Sequence, residues 1–350
     1  MVVFSSGSTG SPKGIVLPWE ALEHRWRVRW AEYDAFGFAV RRQALLLPLD
    51  SAWGLTEALD VASGFSMHVV DAPTVGPSGL LAALARVEPT SIALPPQLGR
   101  VLAQLPSRMI VPLPTVRRLY VTSEGFRYEY VAGLRSIFRD DTVMVHTLAS
   151  TEVGRMLAST FTLGEAPASG PVPIGTPAHP ADVRLEPVGD DGRAELVVGG
   201  PIALGYLRDP DLTAARFRTD REGRRWWRSG DLVTVGSDGL FRHAGRIDDL
   251  VKVGGRLVSP SDVTSVIAAI PGITAAITVP VVTEGVTRLV AHVEVDPAAG
   301  LTRADVHDRL RASLPAHSVP AAIMRHQRLP AGERGKIDRS ALGTGPFVPW

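Results

Sequence analysis

Hydroxyl-bearing residues, three glycines and one lysine are concentrated in the ten residues Ser5–Gly14. Backbone N–H groups and hydroxyls in such a flexible segment can surround polyphosphate oxygens, and Lys13 adds a positive charge. The spacing is not that of a Walker loop, because Gly10 lies only three positions before Lys13 and Gly14 follows it. The segment therefore indicates either a phosphate-binding loop of another type or a flexible Gly/Ser turn.

Lysine is scarce in this chain, and its few positions are informative. Only three of the 37 basic residues are lysine, namely Lys13, Lys252 and Lys336, and all three lie in glycine-containing segments. The ammonium group of lysine is a compact, strongly hydrated point charge, and the planar guanidinium of arginine cannot replace it at every site. We therefore treat each lysine as a candidate functional residue, although coding bias toward arginine alone could leave three by chance.

The elements that must position these residues change in character along the chain. A helix is predicted over 19–32. From about residue 44 to 160, short apolar strands such as Ser91–Leu94 alternate with helices such as 77–87, which predicts a layered α/β domain. From 170 to 245, turn signals separate short strands, which predicts a β-rich subdomain. After Asp248 the pattern becomes that of a compact α+β module. We predict a large domain over 1–247 and a small, mobile domain over 248–350.

Composition removes several classes of function. The 350 residues carry a formal net charge of +1 and 6% aromatic residues, which gives no basis for nucleic acid or an anionic membrane as a partner. The chain contains no cysteine, so disulfides, thiolate metal sites and a cysteine nucleophile are excluded. There is no signal-peptide pattern and no apolar run of roughly 20 residues. These features predict a cytoplasmic protein.

Motifs spread over most of the chain resemble those of the acyl-adenylate-forming enzymes, which include acyl- and aryl-CoA synthetases, luciferases and peptide-synthetase adenylation domains. The similarity covers about residues 4 to 342, in the order that the family has. The matching segments are Ser5–Gly14, Ser150–Glu152, Gly199–Tyr206, Arg228–Leu232, Gly245–Gly255 and Gly335–Arg339.

The resemblance implies that ATP and Mg²⁺ are used to convert a small carboxylic acid to acyl-AMP and pyrophosphate. The acyl group would then pass to a thiol, that of coenzyme A or of phosphopantetheine on a carrier protein. Two alternatives stay open: adenylation followed by amide formation with an amine, and a degenerate nucleotide-binding scaffold. Retention of Lys336, Glu152 and Asp231 speaks against the scaffold, because a scaffold needs none of them.

The resemblance also assigns roles to individual residues. Lys336 would be the catalytic lysine of adenylation, Thr151 would reach the α-phosphate, and Glu152 would bind Mg²⁺. Asp248 would be the hinge about which the small domain rotates. The remaining nucleotide- and pantetheine-binding candidates are Ser5, Ser6, Gly7, Ser8, Thr9, Gly10, Lys13, Asp231, Arg246, Gly254 and Gly255.

Each of these motifs also has a purely structural interpretation. Thr151-Glu152 could be a helix N-cap with a first-turn acid. Asp231 could be a turn residue after Gly230, and Gly254-Gly255 could be a hairpin turn.

The sequence departs from the family pattern in two places. At the predicted acyl pocket, assigned to Asp50, Trp53, Glu124 and Leu148, Asp50-Ser51 replaces the usual Phe-His pair. The alternative interpretation of Asp50 is a loop-starting residue. The family also usually has well over a hundred residues before the phosphate loop, whereas four precede it here. That difference predicts exposed apolar surface covered by a homo-oligomer contact or a partner protein.

Overall fold

A computed structural model describes residues 1–6, 12–36, 42–46, 53–56, 65–70, 72–122, 126–178, 182–189, 191–330, 341–342 and 347–348. Strands and helices alternate over most of these residues, which confirms the predicted α/β class. The chain divides into two compact units. The large unit comprises Met1–Pro187, Ala194–Ser229 and Val233–His243, and the small unit comprises Val188–Arg193, Gly230–Leu232 and Ala244–Trp350.

A three-stranded sheet carries the N-terminal hairpin of the large unit. Strand β2 (Pro12–Val16) pairs in antiparallel fashion with both β1 (Val2–Ser6) and β12 (Gly205–Tyr206). The helix predicted over 19–32 follows as α1 (Trp19–Phe36). Ile15 and Leu22 are buried in one cluster with residues of the hairpin's neighbours, so burial of apolar side chains fixes the hairpin against the rest of the unit.

A seven-stranded sheet, in the order β4-β3-β5-β6-β7-β8-β9, forms the largest layer of the large unit. The first five strands in that order are parallel, and β8 and β9 are antiparallel to their neighbours. The strands are β3 (Arg42–Leu45), β4 (Ser66–Val69), β5 (Ser91–Leu94), β6 (Arg118–Thr122), β7 (Val143–Ser150), β8 (Gly154–Thr162) and β9 (Thr176–Pro177).

Three helices pack with this sheet: α2 (Ala72–Val87), α3 (Pro96–Ala103) and α4 (Tyr128–Leu134). All four residues of β5 are buried, as expected for a parallel strand covered on both faces. Helix α2 is interrupted at Gly76, where φ is 66° and Pro77 follows. Gly133 allows α4 to approach α3, because a Cβ there would overlap the carbonyl of Ala103.

The β-rich region predicted over 170–245 forms a second, five-stranded sheet. The elements are β10 (Asp182–Pro187), β11 (Ala194–Gly199), α5 (Pro210–Arg216), β13 (Phe217–Thr219), β14 (Arg225–Val235) and β15 (Phe241–Arg246). The strand order is β10-β11-β14-β13, and β15 pairs with β14 as well. Strand β14 contributes residues to both compact units.

Within its described residues, the small unit has a four-stranded sheet, a two-stranded hairpin and two helices. Its elements are β16 (Val251–Val253), β17 (Arg256–Val258), α6 (Pro260–Ala268), β18 (Ile273–Thr283), β19 (Val286–Val295), α7 (Arg303–Ser313), β20 (Ala322–His326) and β21 (Phe347–Val348). Ser259 caps α6 by accepting the N–H of Asp262, and Thr302 and Asp305 form a capping box on α7. The helices and β19 enclose their own apolar cluster, so the small unit has a core of its own.

Two buried histidines face each other across β19 and β20 of the small unit. His292 Nδ1 lies 2.8 Å from His326 Nε2, so one ring donates a hydrogen bond to the other. Burial, together with the neighbouring His326, lowers the pKa of His292 to about 4. Burial also lowers the pKa of His326, although Glu294 opposes that effect. Both rings are therefore neutral in the folded protein near pH 7.

The histidine pair predicts a loss of stability in acid. Below about pH 6.5 the unfolded chain binds protons at these two positions that the folded chain does not bind, and for His292 this difference extends down to about pH 4. The free energy of unfolding should therefore fall with decreasing pH over this window, with no contribution from the pair above it. Urea denaturation at pH 7.5, 5.5 and 4.5 measures this dependence.

The double variant His292→Gln/His326→Gln should show a shallower pH dependence than the wild type, whatever its absolute stability. The matched control is His307→Gln on α7, outside the pair, which should keep the wild-type slope. An unchanged slope in the double variant would exclude the pair as the cause.

Candidate active site

The N-terminal hairpin places two of the predicted phosphate-binding residues opposite each other. In the register of β1 and β2, Ser5 faces Lys13. Residues Gly7, Ser8, Thr9 and Gly10 lie outside the described residues, as do Asp50, Glu124 and Lys336. Ser6 ends β1 opposite Pro12. The strands on both sides of the predicted phosphate loop are therefore in place.

The Thr151-Glu152 segment is a tight turn between β7 and β8, not a helix start. The Ser150 hydroxyl accepts the N–H of Val153 at 3.2 Å, and the Glu152 carbonyl accepts the N–H of Ala203 at 2.8 Å. These bonds fix the turn to β7 and to the segment before β12. The helix N-cap interpretation of this motif is therefore wrong.

Tyr206 binds the side chain of Glu152. The tyrosine hydroxyl donates to Glu152 Oε1 at 2.9 Å, and the indole N–H of Trp227 donates to that hydroxyl at 3.3 Å. Burial, followed by the charge of Glu152, raises the pKa of Tyr206 well above its usual value, so the hydroxyl remains a donor at neutral pH. Sequence analysis matched the Gly-Tyr segment but gave Tyr206 no role.

A cavity of about 280 Å³ lies beside this turn, within the large unit. Thr151 lines it together with residues from α1, from the helical turn over 53–56 and from the end of β6. Trp53 and Tyr120 form part of its apolar wall, with ring centroids 5.1 Å apart in an edge-to-face arrangement. The volume is just below the roughly 300–1,000 Å³ typical of ligand sites, which indicates a small ligand.

Two of the predicted acyl-pocket residues have different surroundings. Trp53 lines the cavity. Leu148 is buried in an apolar cluster with Leu157 and Ile174, and the neighbouring Ala149 lines the cavity instead. Successive residues of a strand point to opposite faces, which explains why Ala149 and not Leu148 lines this cavity. The assignment of Leu148 to the acyl pocket stays a prediction.

Basic side chains also line this cavity, and sequence analysis missed them. They are His24, Arg25, Arg29 and Arg155. Arg25 Nη2 donates to the backbone carbonyl of Thr151 at 2.8 Å. Arg25 and Arg29 are four residues apart on α1, and this spacing was the only available signal, because Arg155 comes from a distant strand.

Asp231 and Arg246 form an ion pair in the small unit. Asp231 is 7% exposed, and its Oδ1 accepts a hydrogen bond from Arg246 Nη1 at 2.9 Å. Asp248 lies on the other side of the same guanidinium, with Oδ2 3.6 Å from Arg246 Nη2. Sequence analysis predicted a role for each of these residues but no contact between them.

Gly254 and Gly255 form the turn of the hairpin made by β16 and β17. Their φ values are 55° and 82°, in the region that favours glycine, and a Cβ at either position would meet no neighbour within 4 Å. The predicted hairpin turn is therefore present. Lys252, in the same hairpin, is exposed on β16.

Metal-binding side chains are sparse among the described residues, which contain no group of three or more His, Cys, Asp or Glu placed to hold a metal ion. Mg²⁺ in nucleotide sites commonly uses one or two carboxylates together with phosphate oxygens and water. A single carboxylate such as that of Glu152, held by Tyr206, suits this mode of binding.

Comparisons with known proteins agree with this architecture. The family model described as "AMP-binding enzyme" matches residues 1–207. The isonitrile lipopeptide synthase of Streptomyces coeruleorubidus is 34% identical over 97% of this chain, which spans 23% of that relative's length. The chain thus belongs to the AMP-binding enzyme family, which confirms the resemblance to acyl-adenylate-forming enzymes.

Two solved structures share the fold. The O-succinylbenzoate coenzyme A synthetase of Bacillus subtilis, in complex with AMP, aligns with a TM-score of 0.81 at 19% identity over 100% of this chain and 70% of its own. The amide bond synthetase of Marinactinospora thermotolerans aligns with a TM-score of 0.79 at 22% identity over 98% of this chain and 68% of its own.

Among the described helices, none is long and apolar enough to cross a membrane.

Proposed function

We propose that this chain activates a small carboxylic acid with ATP and then transfers the acyl group to a thiol. The observation that carries the proposal is the turn at Thr151-Glu152. It lies at the edge of a cavity sized for a small acid, and Tyr206 fixes its carboxylate. Membership of the AMP-binding enzyme family supports the adenylation step. The residues named below are those that the shared motifs assign to this step.

In the first half-reaction, a carboxylate oxygen of the acid attacks the α-phosphorus of ATP, and the bond to the β-phosphate breaks to release pyrophosphate. The protein's contribution is to position the reactants and neutralise charge. Ser5, Lys13 and the segment between them would hold the phosphates. Lys336 would bring its ammonium group to the approaching negative charges.

Glu152 would hold Mg²⁺, whose charge would neutralise phosphate oxygens when it is bound with ATP. Thr151 would reach the α-phosphate. Asp231 would accept hydrogen bonds from the ribose hydroxyls, and Arg246, which is already paired with it, would orient that carboxylate. Asp248 would be the hinge of the 248–350 domain.

In the second half-reaction, a thiolate attacks the acyl carbon and AMP leaves. The turn at Gly254-Gly255 would allow a pantetheine arm, of coenzyme A or of a carrier protein, to approach the backbone. An amine acceptor is the second candidate, because the same adenylation residues serve it and one structural neighbour is an amide bond synthetase. Coverage by a second copy or a partner protein, and a cytoplasmic location, stay predictions.

A hydroxylamine trapping assay with aryl, fatty and amino acids tests the adenylation step. We expect pyrophosphate release and hydroxamate formation that depend on one class of acid, because hydroxylamine intercepts the acyl adenylate. Coenzyme A, a phosphopantetheinylated carrier protein or amines are then added to the active acid to identify the acceptor. Absence of turnover across a broad panel would instead support the scaffold alternative.

A further inference from the structure

Three arginines line the cavity of the large unit. Arg25 and Arg29 come from α1, and Arg155 comes from β8, where it lies opposite Ala149. Among the described lining residues there is no aspartate or glutamate, and several of the others are apolar, including Val28, Trp53 and Tyr120. The lining of the cavity therefore contains both positively charged side chains and apolar side chains.

The positive charge is concentrated where burial makes it costly. Burial lowers the pKa of Arg25 to about 10, although the negative charge of Glu152 opposes that effect. Burial and then the charge of Arg29 lower the pKa of Arg155 to about 10 as well. Both guanidinium groups still carry their charge at pH 7, because 7 is far below these values. Clustered like charges in a desolvated site favour entry of an anion.

The role of Arg25 in fixing the turn does not account for the whole cluster. One of its terminal nitrogens binds the Thr151 carbonyl, while its Nε is buried and has no hydrogen-bond partner among the described residues. Arg29 and Arg155 add two more planar donor groups around the same space. Guanidinium groups bind carboxylates in a bidentate manner, which gives both affinity and orientation.

We infer that the acid activated here carries a second carboxylate, which Arg25, Arg29 and Arg155 bind while the first carboxylate is presented to ATP. The apolar wall of Trp53 and Tyr120 would contact the carbon chain between the two. This inference rests on the proposed function and narrows its substrate to dicarboxylic acids.

The test compares α,ω-dicarboxylic acids of three to eight carbons with their monomethyl esters, which keep the carbon chain of the diacid and replace one carboxylate with a neutral ester. Pyrophosphate release gives kcat/KM for each member of a pair. We expect kcat/KM of the best diacid to exceed that of its monoester by about 10- to 100-fold. This factor corresponds to the loss of one hydrogen-bonded contact between charged groups. Arg29→Met and Arg155→Met should each move that ratio toward one.

Two variants serve as controls. Arg155→Lys keeps the positive charge but cannot form the bidentate contact of a guanidinium group. Its diacid-to-monoester ratio of kcat/KM should therefore lie between those of the wild type and Arg155→Met. Arg218→Met removes an exposed arginine of β13, outside the cavity, and should keep the wild-type ratio. Circular dichroism and the thermal midpoint show that each variant is folded.

The possible outcomes distinguish failure of the second-carboxylate site from failure of the adenylation activity. Monoesters activated as well as diacids would overturn the second-carboxylate site and leave adenylation standing. If no acid is activated, adenylation fails, and titration calorimetry of the diacid without ATP still tests the site. Diacid binding that Arg155→Met weakens would support the site, and equal binding of diacid and monoester would overturn it.

Discussion

Replacing Lys336 with alanine is expected to abolish acyl-adenylate formation and to spare thioester formation from a supplied acyl adenylate. Adenylation brings a carboxylate toward a triphosphate, and a single ammonium group would neutralise both in the transition state. Loss of one such stabilising group typically costs about 100- to 1,000-fold in rate. In the proposed rotation about Asp248, the small domain would withdraw Lys336 before the thiol reacts, so thioester formation would not use this charge.

The two half-reactions are measured separately, with pyrophosphate release for the first and thioester yield from synthetic acyl-AMP for the second. Arg328→Ala removes an exposed positive charge from the small unit and should leave both rates unchanged. Equal loss of both rates in Lys336→Ala would contradict a small domain that rotates about Asp248 between the two steps.

The Glu152→Gln variant is expected to lower the adenylation rate by about 100-fold and to raise the Mg²⁺ concentration needed for half-maximal rate. The amide keeps the shape of the side chain and an oxygen for the Tyr206 hydroxyl, but it loses the negative charge that Mg²⁺ prefers. A titration of the adenylation rate with Mg²⁺ measures both effects.

Tyr206→Phe separates the charge of Glu152 from its positioning. This variant keeps the carboxylate, loses the hydroxyl that holds it and leaves the Trp227 indole N–H without that acceptor. We expect a smaller decrease, about 10-fold, equivalent to one hydrogen bond to a charged group. A Mg²⁺ titration of Glu152→Gln that superimposes on that of the wild type would remove Glu152 as the metal ligand.

Local sequence patterns predicted much of the fold because each buried element carries its own signal. The strand at Ser91–Leu94 is apolar and short, the helix that starts at Trp19 follows a buried hairpin, and both are present. Short strands such as β12 (Gly205–Tyr206) were not predicted, because two residues show no periodicity and depend on β2 for pairing. Helix α2 begins at Ala72, before the predicted 77, since its first turn precedes the break at Gly76.

The site was only partly predictable for a related reason. Motifs identify residues that are close in sequence, such as Thr151 and Glu152. They carry no information about contacts such as those between Tyr206 and Glu152, or about the charge cluster that α1 and β8 form. Nor does a motif give the direction of a side chain: Leu148 is buried in an apolar cluster, while its neighbour Ala149 lines the cavity.

The distribution of lysines also makes this protein suitable for chemical footprinting. Lys13 is half-buried on the N-terminal hairpin, Lys252 is exposed on β16, and Lys336 is the third. Besides the N-terminal amine, an amine-selective reagent therefore has three targets in the chain, one in each of three separate motifs. Mass spectrometry of the labelled protein, with and without nucleotide, would report on those motifs without any substitution in the sequence.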